Sequence, residues 1–283
     1  MKTAVIVLTY NRPLALLAAV RSLMSQCEAG DEVWIADDGS SADNVELARA
    51  GLQRITGTLY HVWHPDVGFT AARARNMAAA LTQAEYLLFL DGDCVPHGTW
   101  LQQHKRLACA NHFVNGSRVL LNPALTQRVE STMADLMTWN VWQWIEARGR
   151  GECNKLTHLA RWPFSWGRDN AVFRWKGIRS CNFGVWRCDY EKVNGFDESF
   201  SGWGHEDADL VLRLHNAGLV RRNGFWGTEV FHLWHKENDR ARELENRAMV
   251  QERIASGTVK ASLGLDRAAM ASDVRVSRWG KGF

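Results

Sequence analysis

The segment YLLFLDGD, residues 86–93, constrains the fold of this chain more than any other stretch. Five apolar or aromatic residues are followed at once by Asp91 and Asp93, with a glycine between them and Pro96 just beyond. A short apolar run bounded by Gly and Pro predicts a strand that is buried on both faces, as in the middle of a parallel sheet. The carboxylates would then lie at the carboxyl edge of that sheet, where open α/β folds bind their ligands.

This Asp-Gly-Asp segment has two interpretations when it is taken alone. Two hard oxygen donors one residue apart can hold a divalent cation that bridges the phosphates of a nucleotide. The same three residues also suit an ordinary polar turn after a strand. The other motifs of the chain decide between these interpretations.

Strands and helices alternate through the first hundred residues. Apolar runs predict strands at residues 4–8, 32–36, 59–63 and 86–90, and helical spacing predicts helices after Arg12, after Ser41 and over 70–82. Such alternation favours βαβ units and a parallel sheet. Polar residues follow the first, second and fourth strands, at Thr9, Asp38 and Asp91. In a doubly wound sheet these strand ends converge on one crevice.

Two common nucleotide-binding motifs are absent from the sequence. No Gly-x-Gly-x-x-Gly follows the first strand, and no Gly-x-x-x-x-Gly-Lys-Ser/Thr occurs. Dinucleotide binding and P-loop chemistry are therefore disfavoured. A nucleotide site built from carboxylates and a metal ion is what remains.

The second half of the chain carries another cluster, Gly-Trp-Gly-His-Glu-Asp, at residues 202–207. Glu206 and Asp207 fall at the start of a predicted helix that ends near Gly218. Carboxylates in a first turn also stabilise a helix through its dipole, so capping is the alternative to chemistry. Capping does not require the two glycines, which allow a close backbone approach and present the flat ring of Trp203.

Two histidines follow this cluster, and they are candidates for a metal site. His232 and His235 are three residues apart. On a helix they would share a face, and in a turn they could still converge on one ion. Taken alone, such a pair occurs more often without a metal than with one.

The segment between the two motif groups shows less regularity. We expect one helix over residues 126–148, with Trp139, Trp142 and Ile145 on one face. Residues 149–180 combine aromatic and basic side chains with little periodicity. They form either a mobile lid or acceptor wall, or a packed irregular loop.

The C-terminal region is charged. We expect a helix from Lys236 to about residue 256, and a weakly ordered basic tail from Gly257 onward. The tail is either solvated or in peripheral contact with a membrane.

Composition indicates a soluble globular protein. Hydrophobic residues make up 46% and charged residues 23% of the 283 residues, and the net charge is +3. The charge is too small to indicate a nucleic-acid partner, and basic residues do not alternate with aromatics as in a strand-binding groove. Six cysteines without a Cys-x-x-Cys pair favour reduced thiols. No apolar stretch reaches 18 residues, so we expect a cytoplasmic protein, at most peripheral at the inner face of the membrane.

Taken in order, these motifs resemble those of the GT-A fold family 2 glycosyltransferases. The matching segments are residues 9–13, 37–40, 68, 74–76 and 91–93. Later segments resemble the C-terminal catalytic segment of β-1,4-galactosyltransferases and bacterial chondroitin-type polymerases; they are residues 194–198, 202–209 and 232–235. Residues from about 110 to 178 match neither group, and we expect acceptor choice to lie there.

The resemblance implies an α/β fold of the GT-A type. A Rossmann-like nucleotide-binding half, residues 1–100, would be continuous with an acceptor-binding and catalytic half, residues 101–236, around one mixed sheet. A C-terminal helix and basic tail, residues 237–283, would follow.

The resemblance also implies a donor nucleotide site at the strand ends. Tyr10 would stack on uracil, Asp38 would accept its N–H, and Asp91 would lie near the ribose. The full set of implied donor residues is Thr9, Tyr10, Arg12, Asp38, Arg75 and Asp91.

A metal site and a catalytic pair complete the implied site. Asp93 with His235 and His232 would hold Mn²⁺ or Mg²⁺ on the diphosphate; in the galactosyltransferases the position of His232 is a methionine. The three remaining implied site residues have one role each: Trp203 would stack on sugar, Glu206 would bind a hydroxyl, and Asp207 would be the base.

The leading hypothesis is thus an inverting, metal-dependent glycosyltransferase. It would move a hexose or N-acetylhexosamine from a UDP-sugar to a glycan or lipid-linked sugar acceptor in bacterial surface polysaccharide synthesis. A metal-dependent nucleotidyltransferase is one alternative, but the sequence after the first strand lacks its glycine-rich basic signature. A catalytically inactive sugar-binding module is another, and it would be expected to have lost residues such as Asp93 or Asp207, which are present. The oligomeric state is not predicted.

Overall fold

The computed structural model describes residues 1–162, 164–175, 177–236 and 240–282. The strands of this part are β1 Thr3–Thr9, β2 Glu32–Asp37, β3 Gly57–Trp63, β4 Tyr86–Asp91, β5 Cys94–Pro96, β6 His112–Asn115, β7 Ser117–Leu120, β8 Asp169–Asn170, β9 Asn182–Trp186, β10 Val220–Asn223, β11 Glu229–His232 and β12 Arg275–Gly282. Its α-helices are α1 Pro13–Met24, α2 Ala42–Leu52, α3 Ala71–Leu81, α4 Trp100–Leu107, α5 Pro123–Thr132, α6 Val141–Gly149, α7 Arg187–Lys192, α8 Glu206–Asn216, α9 Glu243–Ser256 and α10 Leu265–Ala268.

The four strands predicted in the first hundred residues are confirmed. In β1, residues 4–7 are fully buried, and in β4 residues 88–90 are fully buried. The two strands pair in parallel, with Val5 opposite Leu88. Their continuous apolar runs therefore reflect burial on both faces of a central sheet.

Nine strands form one mixed sheet in the order β12-β3-β2-β1-β4-β9-β6-β10-β8. The first four predicted strands are adjacent and parallel, whereas β9 is antiparallel to both β4 and β6. Helices α3 and α8 contribute to the apolar cluster on one face, and α1 and α4 contribute to the cluster on the other. The expected mixed sheet is confirmed.

A second, three-stranded sheet was not predicted from the sequence. Its order is β5-β11-β7, with β11 antiparallel to β5 and parallel to β7. Strand β5 begins directly after Asp93, and β11 ends at His232. This small sheet therefore brings two distant motifs next to each other.

The expected single helix over residues 126–148 is wrong. Helix α5 ends at Thr132, and the next residue, Met133, has a left-handed backbone with φ of 49°. A short 3-10 helix covers Leu136–Thr138. Asn140 then starts α6 with a capping box. A cap inside a periodic segment divides it because it satisfies the free N–H groups of a new helix start.

The expected aromatic face of that helix is also wrong. Trp142 is 77% exposed and Ile145 is 44% exposed, whereas Trp144, which was not singled out, is buried. The Trp144 ring stacks on Phe231 of β11 at 4.7 Å between ring centroids. The second sheet, absent from the sequence interpretation, decides which face of α6 is buried.

The C-terminal region is more ordered than expected. Helix α9 begins at Glu243 and not at Lys236; residues 237–239 lie outside the described part. The tail beyond Gly257 contains α10 and β12, and β12 pairs antiparallel with β3 at the edge of the large sheet. Trp279 of β12 is 5% exposed. The expectation of a weakly ordered tail is therefore wrong.

No helix in the described ranges is long and apolar enough to cross a bilayer.

Candidate active site

The ends of β2, β1 and β4 lie side by side at one edge of the large sheet. Thr9 ends β1, Asp37 ends β2 and Asp91 ends β4. Beyond β4, Gly92 N donates to Leu8 O at 2.7 Å. A Cβ at Gly92 would lie 2.9 Å from Leu8 O, so this close approach favours glycine. The predicted convergence of strand ends is confirmed.

Asp38 and Tyr10 lie next to this edge, and both are held by the segment after β3. Buried Asp38 accepts hydrogen bonds from Thr70 N at 2.9 Å and Thr70 Oγ1 at 2.5 Å, and it lies 3.2 Å from His64 Nε2. Tyr10 is 48% exposed, and its hydroxyl donates to Asp66 Oδ2 at 2.9 Å. An exposed ring beside a fixed carboxylate suits stacking on a base that also donates a hydrogen bond.

Arg75 joins the donor edge to helix α8. Its side chain is 2% exposed; Nη2 donates to Asp91 Oδ1 at 2.8 Å, and Nη1 lies 3.7 Å from Glu206 Oε1. Burial raises the pKa of Asp91, and the positive charge of Arg75 opposes that shift. Arg75 thus contacts Asp91, which is predicted to bind the donor nucleotide, and Glu206, which is predicted to bind the acceptor sugar. Both residues therefore lie in one crevice.

Asp93 faces two imidazoles at the end of β11. His232 is opposite Cys94 in the register of β11 and β5, and Leu233 N donates to Asp93 O at 2.8 Å. Asp93 Oδ1 lies 3.8 Å from His232 Nε2, and Asp93 Oδ2 lies 3.4 Å from His235 Nε2. The structure therefore brings together all three residues predicted to hold a metal.

Arg12 contacts the same carboxylate. Its Nη1 donates to Asp93 Oδ2 at 3.0 Å, and its Nη2 donates to Glu130 Oε1 at 2.8 Å and to Trp234 O at 3.3 Å. A guanidinium at this point can also bind a phosphate oxygen. Arg12 therefore lies at the predicted metal cluster.

The residues of this cluster fit a divalent cation. Ligand atoms of Asp93, Cys94 and His232 all lie within 4.8 Å of one another. Burial raises the pKa of the Cys94 thiol well above its usual value, so the thiol stays protonated and is a poor ligand. Burial lowers the pKa of His232, which keeps its imidazole neutral and able to bind metal. A carboxylate with imidazole nitrogens is a donor set that suits Mn²⁺, and Asp93, His232 and His235 would supply it.

The first turn of α8 presents Glu206 and Asp207, as predicted. His205, just before the helix, has a φ of 71°, and Gly204 has a φ of 109°. Asn246 of α9 donates to Gly204 O at 2.9 Å. Helix α9 therefore fixes the turn that aims both carboxylates, a support that the sequence did not predict.

Trp203 lies in the same turn and is half-buried. The guanidinium of Arg240 lies 4.9 Å from its ring centroid, a cation–π contact. A sugar that stacks on Trp203 would use the opposite face of the ring or displace Arg240.

Glu206 and Asp207 differ in their electrostatic setting. Burial and the charge of Asp207 raise the pKa of Glu206 to about 7, and Arg75 opposes the shift. Asp207 Oδ1 accepts from Ala208 N at 2.7 Å. Two adjacent carboxyl groups, one of which gains or loses its proton near neutral pH, are equipped for acid–base chemistry.

Asn182 is a structural residue of the site that carries no motif. Its fully buried Oδ1 accepts from Trp100 Nε1 at 3.0 Å and lies 2.9 Å from His104 Nε2. Its Nδ2 donates to Ser117 O at 2.8 Å and Thr228 O at 2.6 Å. Asn182 therefore ties β9 to the second sheet. The residues that sequence reasoning missed here are His64, Asp66, Thr70, Cys94, Glu130 and Asn182.

Comparison of the sequence with known families agrees with this geometry. The profile described as glycosyl transferase family 2 matches residues 4–173. The chain belongs to glycosyl transferase family 2. A second profile, described as the N-terminal domain of galactosyltransferase, matches residues 168–236. The resemblance drawn from the motifs is confirmed.

Named relatives of this family 2 chain are glycosyltransferases. Validoxylamine A glucosyltransferase of Streptomyces hygroscopicus subsp. limoneus is 28% identical over 81% of this chain and 51% of the relative. Hyaluronan synthase of Pasteurella multocida is 26% identical over 76% of this chain and 23% of the relative. Chondroitin synthase of Escherichia coli is 25% identical over 78% of this chain and 33% of the relative. The chain spans about half the length of the first relative and less of the other two.

Solved structures give the fold. The catalytic domain of Drosophila β1,4-galactosyltransferase 7, in complex with xylobiose, has a TM-score of 0.52 at 13% identity. The match covers 93% of this chain and 82% of the galactosyltransferase chain. S. aureus TarS 1-349 in complex with UDP has a TM-score of 0.55 at 15% identity. The match covers 95% of this chain and 68% of the TarS chain. The expected GT-A fold is confirmed.

Proposed function

We propose that this family 2 chain is an inverting, metal-dependent glycosyltransferase. It moves a hexose or N-acetylhexosamine from a UDP-sugar to a hydroxyl group of a glycan or lipid-linked sugar. The observation that carries this proposal is the contact of Arg75 with both Asp91 and Glu206. That contact makes the donor edge and the carboxylates of α8 parts of one crevice.

The donor nucleotide lies at the strand ends in this proposal. Tyr10 stacks on uracil, Asp38 accepts its N–H, Thr9 lines the base site, and Asp91 lies near the ribose. The exposure of Tyr10 and the fixed position of Asp38 support these roles. The UDP in the TarS structure supports a uridine nucleotide as the donor leaving group.

The diphosphate lies beside Asp93. Asp93, His232 and His235 would hold Mn²⁺ or Mg²⁺, which neutralises the charge that develops on the departing diphosphate. Arg12, 3.0 Å from Asp93, adds a positive charge beside that leaving group.

Asp207 acts as the base on the acceptor. A carboxylate oxygen of Asp207 accepts the proton of the acceptor hydroxyl as its oxygen bonds to the anomeric carbon, and the bond from that carbon to the diphosphate oxygen breaks. Glu206 binds a neighbouring hydroxyl, and Trp203 stacks on a sugar face. A single displacement of this kind inverts the anomeric configuration.

The setting is proposed from the same resemblance. We place the reaction in bacterial surface polysaccharide or glycolipid assembly, on the cytoplasmic side of the membrane. Two of the bacterial relatives are named as polysaccharide synthases, which supports that setting.

A donor screen tests this function. Purified protein is incubated with UDP-glucose, UDP-galactose and their N-acetylhexosamine counterparts in Mn²⁺, and released UDP is measured with and without chelator. We expect slow hydrolysis of one donor, loss of it in chelator, and recovery with Mn²⁺. Full activity in chelator, or release of nucleotide from none of these donors, would contradict the proposal.

A further inference from the structure

Three cationic side chains lie near one another where β6 ends and β7 begins. Arg118 is in β7, next to Ser117, and Lys155 Nζ donates to Ser117 Oγ at 2.9 Å. The backbone N–H of Arg179 donates to Asn115 Oδ1 at 3.2 Å. Asn115 is the last residue of β6, so Arg179 lies close to the turn that leads into β7. The three residues come from separate parts of the chain, and their charges act on one another.

Carboxylates act on these positive charges only at longer range: Asp91 acts on Arg118, Glu229 on Lys155 and Asp207 on Arg179. Across the described ranges, no carboxylate forms an ion pair with Arg118, Lys155 or Arg179. Burial and the charges of both arginines lower the pKa of Lys155, although Glu229 opposes the shift. Burial and the charge of Arg118 lower the pKa of Arg179. Partly buried cations that lack a close carboxylate partner attract an anion.

The nearest acidic group of the small sheet is already occupied. Glu229 accepts hydrogen bonds from Trp226 N and Gly227 N, each at 2.7 Å. The Glu229 carboxylate therefore stabilises the turn before β11 and forms no close ion pair with the three cationic side chains.

One member of the cluster, Arg179, lies near the proposed base. A pocket between residues 178–183 and α8 includes both Arg179 and Asp207 in its lining. Asp207 also acts electrostatically on Arg179. An anion bound at Arg179 would thus lie beside the acceptor hydroxyl, whereas the donor diphosphate lies at Asp93.

We propose that Arg179 and Lys155, with Arg118 behind them, bind an anionic group of the acceptor, a phosphate or a carboxylate. The acceptor is then an acidic glycan or a phosphate-bearing sugar. This inference rests on the proposed function and names the substrate class of the same site. A guanidinium and an ammonium group together suit both anions, because each donates charge-assisted hydrogen bonds.

Sugar titrations test this inference. The protein is titrated with methyl glucuronide, glucose 6-phosphate and methyl glucoside, each with and without UDP and Mn²⁺. We expect at least one anionic sugar to bind at least tenfold more tightly than the neutral one. The anionic sugar that binds more tightly shows whether the site prefers a carboxylate or a phosphate. Arg179→Gln and Lys155→Gln should each remove the preference, and Arg179→Lys should restore part of it.

Two controls make the result decisive. Arg174→Gln changes an exposed arginine of the same loop and should leave all titrations unchanged. UDP is titrated separately, so absence of UDP binding counts against the proposed function and not against the anion preference. Equal affinity for neutral and anionic sugars would overturn the inference. Weaker UDP binding in Arg179→Gln with the anion preference intact would also overturn it, because the cations would then serve the donor.

Discussion

The donor edge and the acceptor side of the crevice differ in how their charges are paired. At the donor edge Arg12 contacts Asp93 at 3.0 Å and Arg75 contacts Asp91 at 2.8 Å. On the acceptor side, Arg179 and Lys155 form no ion pair with any carboxylate in the described part of the chain. The donor edge is thus arranged before any ligand arrives, whereas the acceptor side leaves charge for a ligand to neutralise.

This difference also separates a general task from a specific one. Every UDP-sugar presents the same diphosphate, so one fixed arrangement of carboxylate, imidazole and guanidinium groups would serve any donor of this class. Acceptors vary, and two of the three cations that we assign to the acceptor, Arg118 and Lys155, lie in the segment from about 110 to 178 that matched no motif.

The largest expected effect separates the two sides by catalysis. Asp207→Asn should lower turnover by roughly two to four orders of magnitude, because the acceptor hydroxyl loses its base. Calorimetry should show UDP affinity nearly unchanged, since the donor edge keeps its contacts. Asp189→Asn, which changes a first-turn carboxylate of α7, is the matched control. Near-normal turnover in Asp207→Asn would remove this residue from the proposed role.

A second substitution breaks the pairing at the donor edge. Arg75→Gln should lower the free energy of unfolding by about 3 kcal/mol, because it leaves Asp91 and Glu206 without their buried partner. Arg73→Gln, on the same helix, removes the more exposed pair with Asp273 and should cost less than about 1 kcal/mol. Denaturant unfolding measures both. Equal losses would mean that the buried pairing adds nothing.

The pH dependence of stability tests the boundary between the two sides. The pKa of Glu206 is about 7 in the folded protein, against an ordinary value of 4.5. Between pH 4.5 and pH 7, Glu206 is therefore protonated in the folded protein and ionised in the unfolded chain. Stability from this group is therefore present at low pH and falls as pH rises through that window, by at most about 3 kcal/mol.

Glu206→Gln should remove that loss. At pH 5 the variant and the parent protein should unfold at similar denaturant concentrations, and by pH 8 the variant should be the more stable of the two. Substitution of exposed Glu245 by Gln is the control. A stability difference that stays constant from pH 5 to pH 8 would refute the raised pKa.

The smallest expected effect sharpens the metal assignment. His232→Ala and His235→Ala should each weaken Mn²⁺ binding by at least about tenfold, because each removes one nitrogen ligand beside Asp93. His112→Ala changes a histidine of β6 that contacts Asp169 and should have no effect. Mn²⁺ titration followed by electron paramagnetic resonance measures the affinity. Unchanged Mn²⁺ affinity in both histidine variants would mean that neither histidine is a metal ligand.

The donor edge could be predicted from the sequence because its signals are local. Each polar cluster lies at the end of an apolar strand, as Asp91 does in β4, and parallel strands bring such ends to one edge. The first turn of α8 was predictable for the same reason, since Glu206 and Gly218 mark the two ends of one periodic segment.

The remaining features depend on contacts between distant residues. The second sheet arises because β11 pairs with β5 and β7, and no periodicity within a short strand reveals its partner. The tail was mispredicted because its order comes from pairing with β3 and from the stacking of Trp279 on His61 at 4.2 Å. Arg118 and Arg179 are 61 positions apart, and only the fold shows that they lie close together.

Isothermal titration of the protein with UDP, in Mn²⁺ and in chelator, tests the central claim most directly. The parent protein should bind UDP in Mn²⁺, and binding should weaken strongly in chelator and in Asp93→Ala, because both remove the link between the diphosphate and the carboxylate–imidazole cluster. Asp266→Ala, at the start of α10, is the control that should bind as the parent does. UDP binding that needs neither metal nor Asp93 would contradict the account.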